Sequence, residues 1–228
     1  MYEYLPFTST KLDLSLIKDL DGWLSDKEAA LLYRLAKRCT GRGAIVEIGS
    51  WKGKSTICLA EGSRAGKNIP IYAIDPHTGS SEHGDVYTFE EFKKNISNAG
   101  IENMIHPIVK TSKEASEGWN KPIELLWIDG AHEEEYVRLD YELWTPHLVP
   151  GGTIAFHDSS MPGVEVVLEK YLYRGNSFKN IRFVHGATYA RKGKPLPLAN
   201  RSMLLLSNVK YHVWQMKHFI QRLLRLKK

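Results

Sequence analysis

The chain has 228 residues, 43% hydrophobic and 25% charged, which describes a globular protein with one sizeable core and excludes disordered, collagen-like and small disulfide-scaffold classes. Its net charge of +5 is unevenly spread: residues 201–228 hold seven basic and no acidic side chains, leaving 24 basic against 26 acidic in residues 1–200. A near-neutral body makes nucleic acid an unlikely partner for the main domain and confines the electrostatic question to a tail.

Cys39 and Cys58 show neither metal spacing nor a disulfide framework, and no run of 18 apolar residues or secretory leader pattern is visible. These features predict a cytoplasmic protein without a membrane span. No repeat is visible, so the expected organisation is an N-terminal extension (1–24), one domain (25–200) and a basic C-terminal helix (201–228).

In chain order, Ser25-Asp-Lys-Glu28 has the form of a capping box, followed by Leu31, Leu32, Leu35 and Ala36 at helical spacing. Apolar runs then alternate with helical patterns: 44–48, 71–75, 104–110, 123–129 and 152–158. Strands apolar throughout and separated by helices predict a doubly wound α/β fold with a mostly parallel sheet. In such sheets ligands gather at the C-terminal strand ends, so Glu47, Gly49, Asp75, Ser112, Asp129, His157 and Asp158 are expected on one rim.

The first strand runs into Glu47-Ile-Gly49-Ser50-Trp51-Lys52-Gly53-Lys54-Ser55-Thr56. GKST here and LLWID at 125–129 imitate a nucleotide-binding P-loop pair, but Gly49 and Gly53 enclose three residues where that loop needs four. A carboxylate before a glycine turn and a helix N-terminus suits a ligand with an amine and a carboxylate, such as S-adenosylmethionine. On that reading Glu47 favours the cation, the turn amides around Gly49 and Ser50 hold the anion, Gly53 admits the cofactor to the backbone and Ser55 donates to its carboxylate. Asp75 is positioned to accept from ribose hydroxyls. Ser112 either contacts the adenine edge or caps a helix.

GWLSDKEAALLYRLA, VEIGSWKGKST, YAIDPH, LLWIDGAH and VPGGTIAFHD, in this order, resemble the class I S-adenosylmethionine-dependent methyltransferases over residues 22–160. The nearest likeness is to the bacterial methyltransferase family 24 and the catechol and caffeoyl-CoA type O-methyltransferases. The resemblance implies a Rossmann-like seven-stranded sheet with a reversed C-terminal hairpin, which 183–191 supplies in part. It implies a divalent metal on Asp129, His157 and Asp158, where His157-Asp158 replaces the usual Asp-Asn and shifts the preference toward a transition metal. It also places His132 at the position of the base, with Asp129 as metal or cofactor-amine ligand and His157 as a second base if no metal binds. The alternative for His132 is a helix-start residue ahead of Glu133, Glu134 and Glu135.

The polar loop 76–87 reads as a lid carrying His77 and His83 toward a polar hydroxyl acceptor, a small metabolite or sugar, or else as a plain surface loop. The apolar stripe Val209, Val213, Met216, Ile220 and Leu223 predicts a C-terminal helix that docks on the body, joins subunits in a homo-oligomer, or lies on a membrane. Competing readings are a cofactor-binding protein without activity and a nucleic-acid methyltransferase using the tail. The Asp-Pro-Pro-Tyr type sequence of amino-methylating DNA enzymes is absent, since Asp129-Gly-Ala-His132 stands there.

Overall fold

The computed structural model describes residues 12–80 and 84–194; His83 and the C-terminal helix expected over 201–228 lie outside them. Seven strands, β1 (Ala44–Ile48), β2 (Ile71–Ile74), β3 (Ile105–Ile108), β4 (Ile123–Ile128), β5 (Leu148–Phe156), β6 (Phe178–Val184) and β7 (Ala187–Lys192), form one sheet in the order β3-β2-β1-β4-β5-β7-β6. The first five are parallel, while β7 runs antiparallel to both β5 and β6. The reversed hairpin is longer than the sequence expectation, beginning at Phe178. A two-residue ribbon pairs Gly79–Ser80 with Gly84–Asp85.

Helices α1 (Asp26–Lys37), α2 (Lys54–Arg64), α3 (Phe89–Asn98), α4 (Ser112–Ser116), α5 (Glu134–Trp144) and α6 (Pro162–Val167) cover the sheet. The strand period of two sorts β1 between the layers: Ile45 joins Leu31, Ile57 and Trp127, while Val46 and Ile48 join Leu126, Trp144 and Phe156. Trp127 and Trp144 are fully buried, and each contributes on the order of 5 kcal/mol of hydrophobic stabilisation before entropy is counted. α1 starts as its sequence dictates, with Ser25 and Glu28 forming a complete capping box. It packs on α2 through Gly62, where a Cβ would lie 2.2 Å from the Tyr33 carbonyl oxygen.

β1 lies between β2 and β4, so chain order reverses beside it. Ligand crevices open at such a reversal, outside the C-terminal strand ends. The helices α2 and α5 leave the sheet here on opposite layers, and their first turns form the walls of that crevice.

Candidate active site

A cavity of about 740 Å³ occupies the crevice, within the range of small-molecule and cofactor sites. Of the eight predicted cofactor residues, Gly49, Ser55, Asp75, Ser112 and Asp129 line it; Glu47, Ser50 and Gly53 stand behind its wall. His132, His157 and Asp158 line the same space. The strand-end rim expected from the sequence is therefore a single chamber.

The glycine turn is built by three left-handed residues, Gly49 (φ 84°), Trp51 (φ 47°) and Gly53 (φ 88°). Asp75 fastens it from β2: one carboxylate oxygen accepts from the Trp51 amide at 2.7 Å and the other from the His77 amide at 2.7 Å. Glu47 does not face the ligand space. Its side chain is fully buried under α2 and accepts from the hydroxyls of Ser55 at 2.6 Å and Thr56 at 2.5 Å. Burial pushes its carboxyl up to about 8, against the two hydroxyls that hold it down. Glu47 thus locks the first turn of α2 to β1, which corrects its expected contact with a ligand cation. Ser55 lines the cavity and spends its hydroxyl proton on Glu47. Gly53 opens α2 with a left-handed φ, and a Cβ there would lie 3.2 Å from Phe92 Cδ2. Ser50 is buried, with its hydroxyl lacking a hydrogen-bond partner among the described residues.

Thr111, not Ser112, caps α4, in a capping box with Glu114. Ser112 accepts from the indole of Trp144 at 2.8 Å and hydrogen-bonds Asp140, a cavity-wall residue that carries no role in the sequence reading. Asp140 is 5% exposed, and burial pushes its carboxyl up to about 7 against the Ser112 hydrogen bond. It lies on the α5 stripe of Val137, Tyr141 and Trp144, and a carboxylate on an otherwise apolar stripe was the available signal.

At the far end of the cavity two histidines meet three carboxylates. Nδ1 of His157 lies 2.9 Å from Asp129 Oδ1 and 3.2 Å from Asp158 Oδ2, and its Nε2 faces Glu28 Oε1 at 3.5 Å. Nε2 of His132 lies 3.4 Å from the same Asp158 oxygen. Burial opposes charge on His157, but the carboxylates of Asp129, Asp158 and Glu28 outweigh it and raise its basicity well above the imidazole range. Burial works against ionisation of Asp158 as well, and the two histidines overcome it to hold the carboxyl far below its usual range. Asp129 moves up, mainly through burial. Asp158 occupies a left-handed backbone conformation (φ 43°), strain of the kind that persists where surroundings over-determine a functional geometry. His157 is 4% exposed, with both ring nitrogens turned to carboxylates.

The donor set tests well for a divalent ion. Asp129, His132 and Asp158 offer ligand atoms within 4.8 Å of one another, the one such group among the described residues, and His157 Nδ1 adds a fourth donor beside both aspartates. Two carboxylates with imidazole nitrogen suit manganese, iron, cobalt or zinc better than magnesium.

His77 is not a substrate-facing lid residue. It is 1% exposed, left-handed (φ 56°), bonded through Nδ1 to Thr88 Oγ1 at 2.9 Å and packed against Phe89 and Phe92. It anchors the loop to α3. The cavity mouth is lined instead by Trp23, Leu24, Trp51, Tyr136 and Met161, with the Trp23 and Trp51 ring centroids 6.1 Å apart. Lys54 clasps the Trp23 segment by donating to the carbonyls of Leu20 at 2.9 Å and Gly22 at 3.1 Å. Among the described residues no helix is long and apolar enough to cross a membrane.

The O-methyltransferase NovP shares the fold at a TM-score of 0.62 and 15% identity, over 74% of this chain and 80% of that one. An O-methyltransferase from Bacillus cereus, solved in complex with SAH, does so at 0.57 and 17%, over 75% and 83%. In sequence, an uncharacterised protein of Sinorhizobium fredii is 30% identical over 120 residues, 51% of this chain but only 13% of its own length. The chain thus spans about an eighth of that curated relative. A family model described as a methyltransferase domain matches residues 46–159, half of the chain and the whole stretch from the glycine turn to Asp158. With that match and the strand order above, the chain belongs to methyltransferase family 24, within the class I S-adenosylmethionine-dependent methyltransferases.

Proposed function

We propose that the protein transfers the methyl group of S-adenosylmethionine to a hydroxyl of a small molecule, with His132 as proton acceptor and Asp129, His157 and Asp158 as the groups that would hold a divalent ion. The supporting observation is that one cavity joins the glycine turn and Asp75 to the acidic and histidine cluster, with Asp129 between them. A methyl donor seated on the turn then points at an acceptor beside His132.

On this reading the amides around Gly49 and the first turn of α2 receive the cofactor carboxylate, Asp129 faces its amine and Asp75 faces the ribose. The cofactor supplies an activated methyl carbon, so the protein's task is alignment and proton removal. An un-ionised hydroxyl is a poor nucleophile at neutral pH. His132 takes its proton, and Asp158, facing Nε2, stabilises the imidazolium that results. His157 also lines the cavity but has its ring nitrogens against carboxylates, and serves the aspartates. A divalent ion held there would polarise the acceptor oxygen. The aromatic side chains of the cavity lining favour an apolar face on the polar hydroxyl acceptor expected from the loop composition.

Calorimetry with S-adenosylhomocysteine tests the cofactor half. Micromolar binding, abolished in a folded Asp75→Ala variant, is expected; no binding to the wild-type protein sinks the proposal. Against a panel of catechols, phenols and glycosides, His132→Ala should keep that binding and lose turnover by about 10²- to 10⁴-fold. Unchanged turnover removes His132 as the base.

A further inference from the structure

Glu28 belongs by sequence to the start of α1, yet its two carboxylate oxygens face different tasks. Oε2 accepts from the Ser25 amide at 2.9 Å and the Ser25 hydroxyl at 2.6 Å, completing the helix cap. Oε1 accepts from the Gly186 amide at 2.9 Å and lies 3.5 Å from His157 Nε2. The side chain is 3% exposed. A cap needs only one of these oxygens. The other is a buried carboxylate oxygen behind the imidazole whose opposite nitrogen sits between Asp129 and Asp158.

That arrangement has a known physical consequence in metal chemistry. An imidazole that ligates through one nitrogen is oriented and made a stronger donor by a carboxylate on the other. We propose that Glu28 is a positioning residue for a transition-metal site, fixing His157 so that Nδ1 is the ligating atom alongside Asp129 and Asp158. This rests on the metal set assigned to the cluster above and adds a residue from outside the matched domain to it. Gly186, at the turn between β6 and β7, holds Glu28 in place: a Cβ there would lie 2.8 Å from Oε1. The N-terminal helix and the reversed hairpin are thereby tied to the metal-binding strand end. An ion at this site would be held by Nδ1 of His157 and would leave Nε2 facing Glu28.

Cobalt(II) titration of the full chain, followed by its visible absorption, separates the two tasks of Glu28. Glu28→Gln retains a residue that capping boxes accept and should weaken cobalt binding about 10- to 100-fold with S-adenosylhomocysteine affinity unchanged. Ser25→Ala should lower the melting temperature and leave cobalt affinity as it was. In the wild-type cobalt protein, a paramagnetically shifted imidazole N–H that disappears in D₂O should report the buried Nε2 proton, and this needs no variant to fold. No cobalt binding by wild type, no such resonance, equal cobalt affinity in Glu28→Gln, or equal losses in both variants each overturn the proposal. Because S-adenosylhomocysteine is titrated on the same samples, failure at the metal and failure of the methyl-transfer reading are read separately.

Discussion

Gly49 and Asp129, at the ends of two adjacent strands, approach so closely that a Cβ on Gly49 would lie 2.1 Å from the Asp129 carbonyl oxygen and 2.5 Å from its carbonyl carbon. Both obstacles are backbone, and Gly49 also has φ 84°. Neither side can yield without moving a strand end that carries site residues. Gly49→Ala should therefore cost on the order of 3 to 5 kcal/mol through combined steric and left-handed strain. Thermal unfolding measures the loss; a drop of only a degree or two in melting temperature would show that the turn is looser than this geometry requires. Any soluble fraction should lose S-adenosylhomocysteine binding, because the turn amides move with the strand ends.

Asp140 couples stability to pH in a direction opposite to that of a salt-bridged carboxylate. Its carboxyl is pushed from an unfolded value near 3.8 up to about 7, chiefly by burial. Between those values the folded state holds the proton more tightly than the unfolded chain, so this group's contribution to stability is complete below about pH 4. It is lost as pH rises, and levels off above about pH 7. Asp140→Asn keeps the shape and removes the titration. The variant should gain on wild type across that window, by at most about 4 kcal/mol and by less where water from the cavity relaxes the charge. Urea unfolding at pH 4, 6 and 8 checks this: a stability difference independent of pH would mean that Asp140 ionises normally.

The sequence revealed the scaffold more readily than the facing of its side chains. Runs at 44–48 and 123–128 are apolar at every position but one, because these strands are covered on both faces, and such runs have no other common explanation in a chain that alternates with helices. β6 was only partly legible: Phe178 and Ile181 face inward, but Lys179, Asn180 and Arg182 interrupt them. The rim residues followed from the strand ends. Which of them look into the cavity did not, since a period of two turns Glu47 under α2 while its neighbour Ile48 lines the space. The polar composition of the loop gives no sign that His77 is a left-handed residue buried against Phe89 and Phe92. Glu28 was read as a cap, and it is one; its second partner lies in another strand end, which no local pattern encodes.

Trp23 supplies the most direct test of what the cavity mouth accepts. Its side chain is 63% exposed, so little of the fold depends on it, yet it lines the cavity and lies against Trp51. Lys54 and the Asp21 contact to Lys52 at 2.8 Å hold its segment beside the glycine turn, so the ring lines the cavity without being part of the core. An aromatic contact of this kind is worth about 0.5 to 1.5 kcal/mol. Trp23→Ala should accordingly raise KM for the best acceptor of the panel roughly two- to tenfold, since each 1.4 kcal/mol is a factor of ten. The S-adenosylhomocysteine dissociation constant should stay within about twofold and the melting temperature nearly constant. A fall in cofactor affinity with unchanged acceptor KM would instead assign Trp23 to the cofactor half of the cavity, and the acceptor would then have to approach past Tyr136 and Met161.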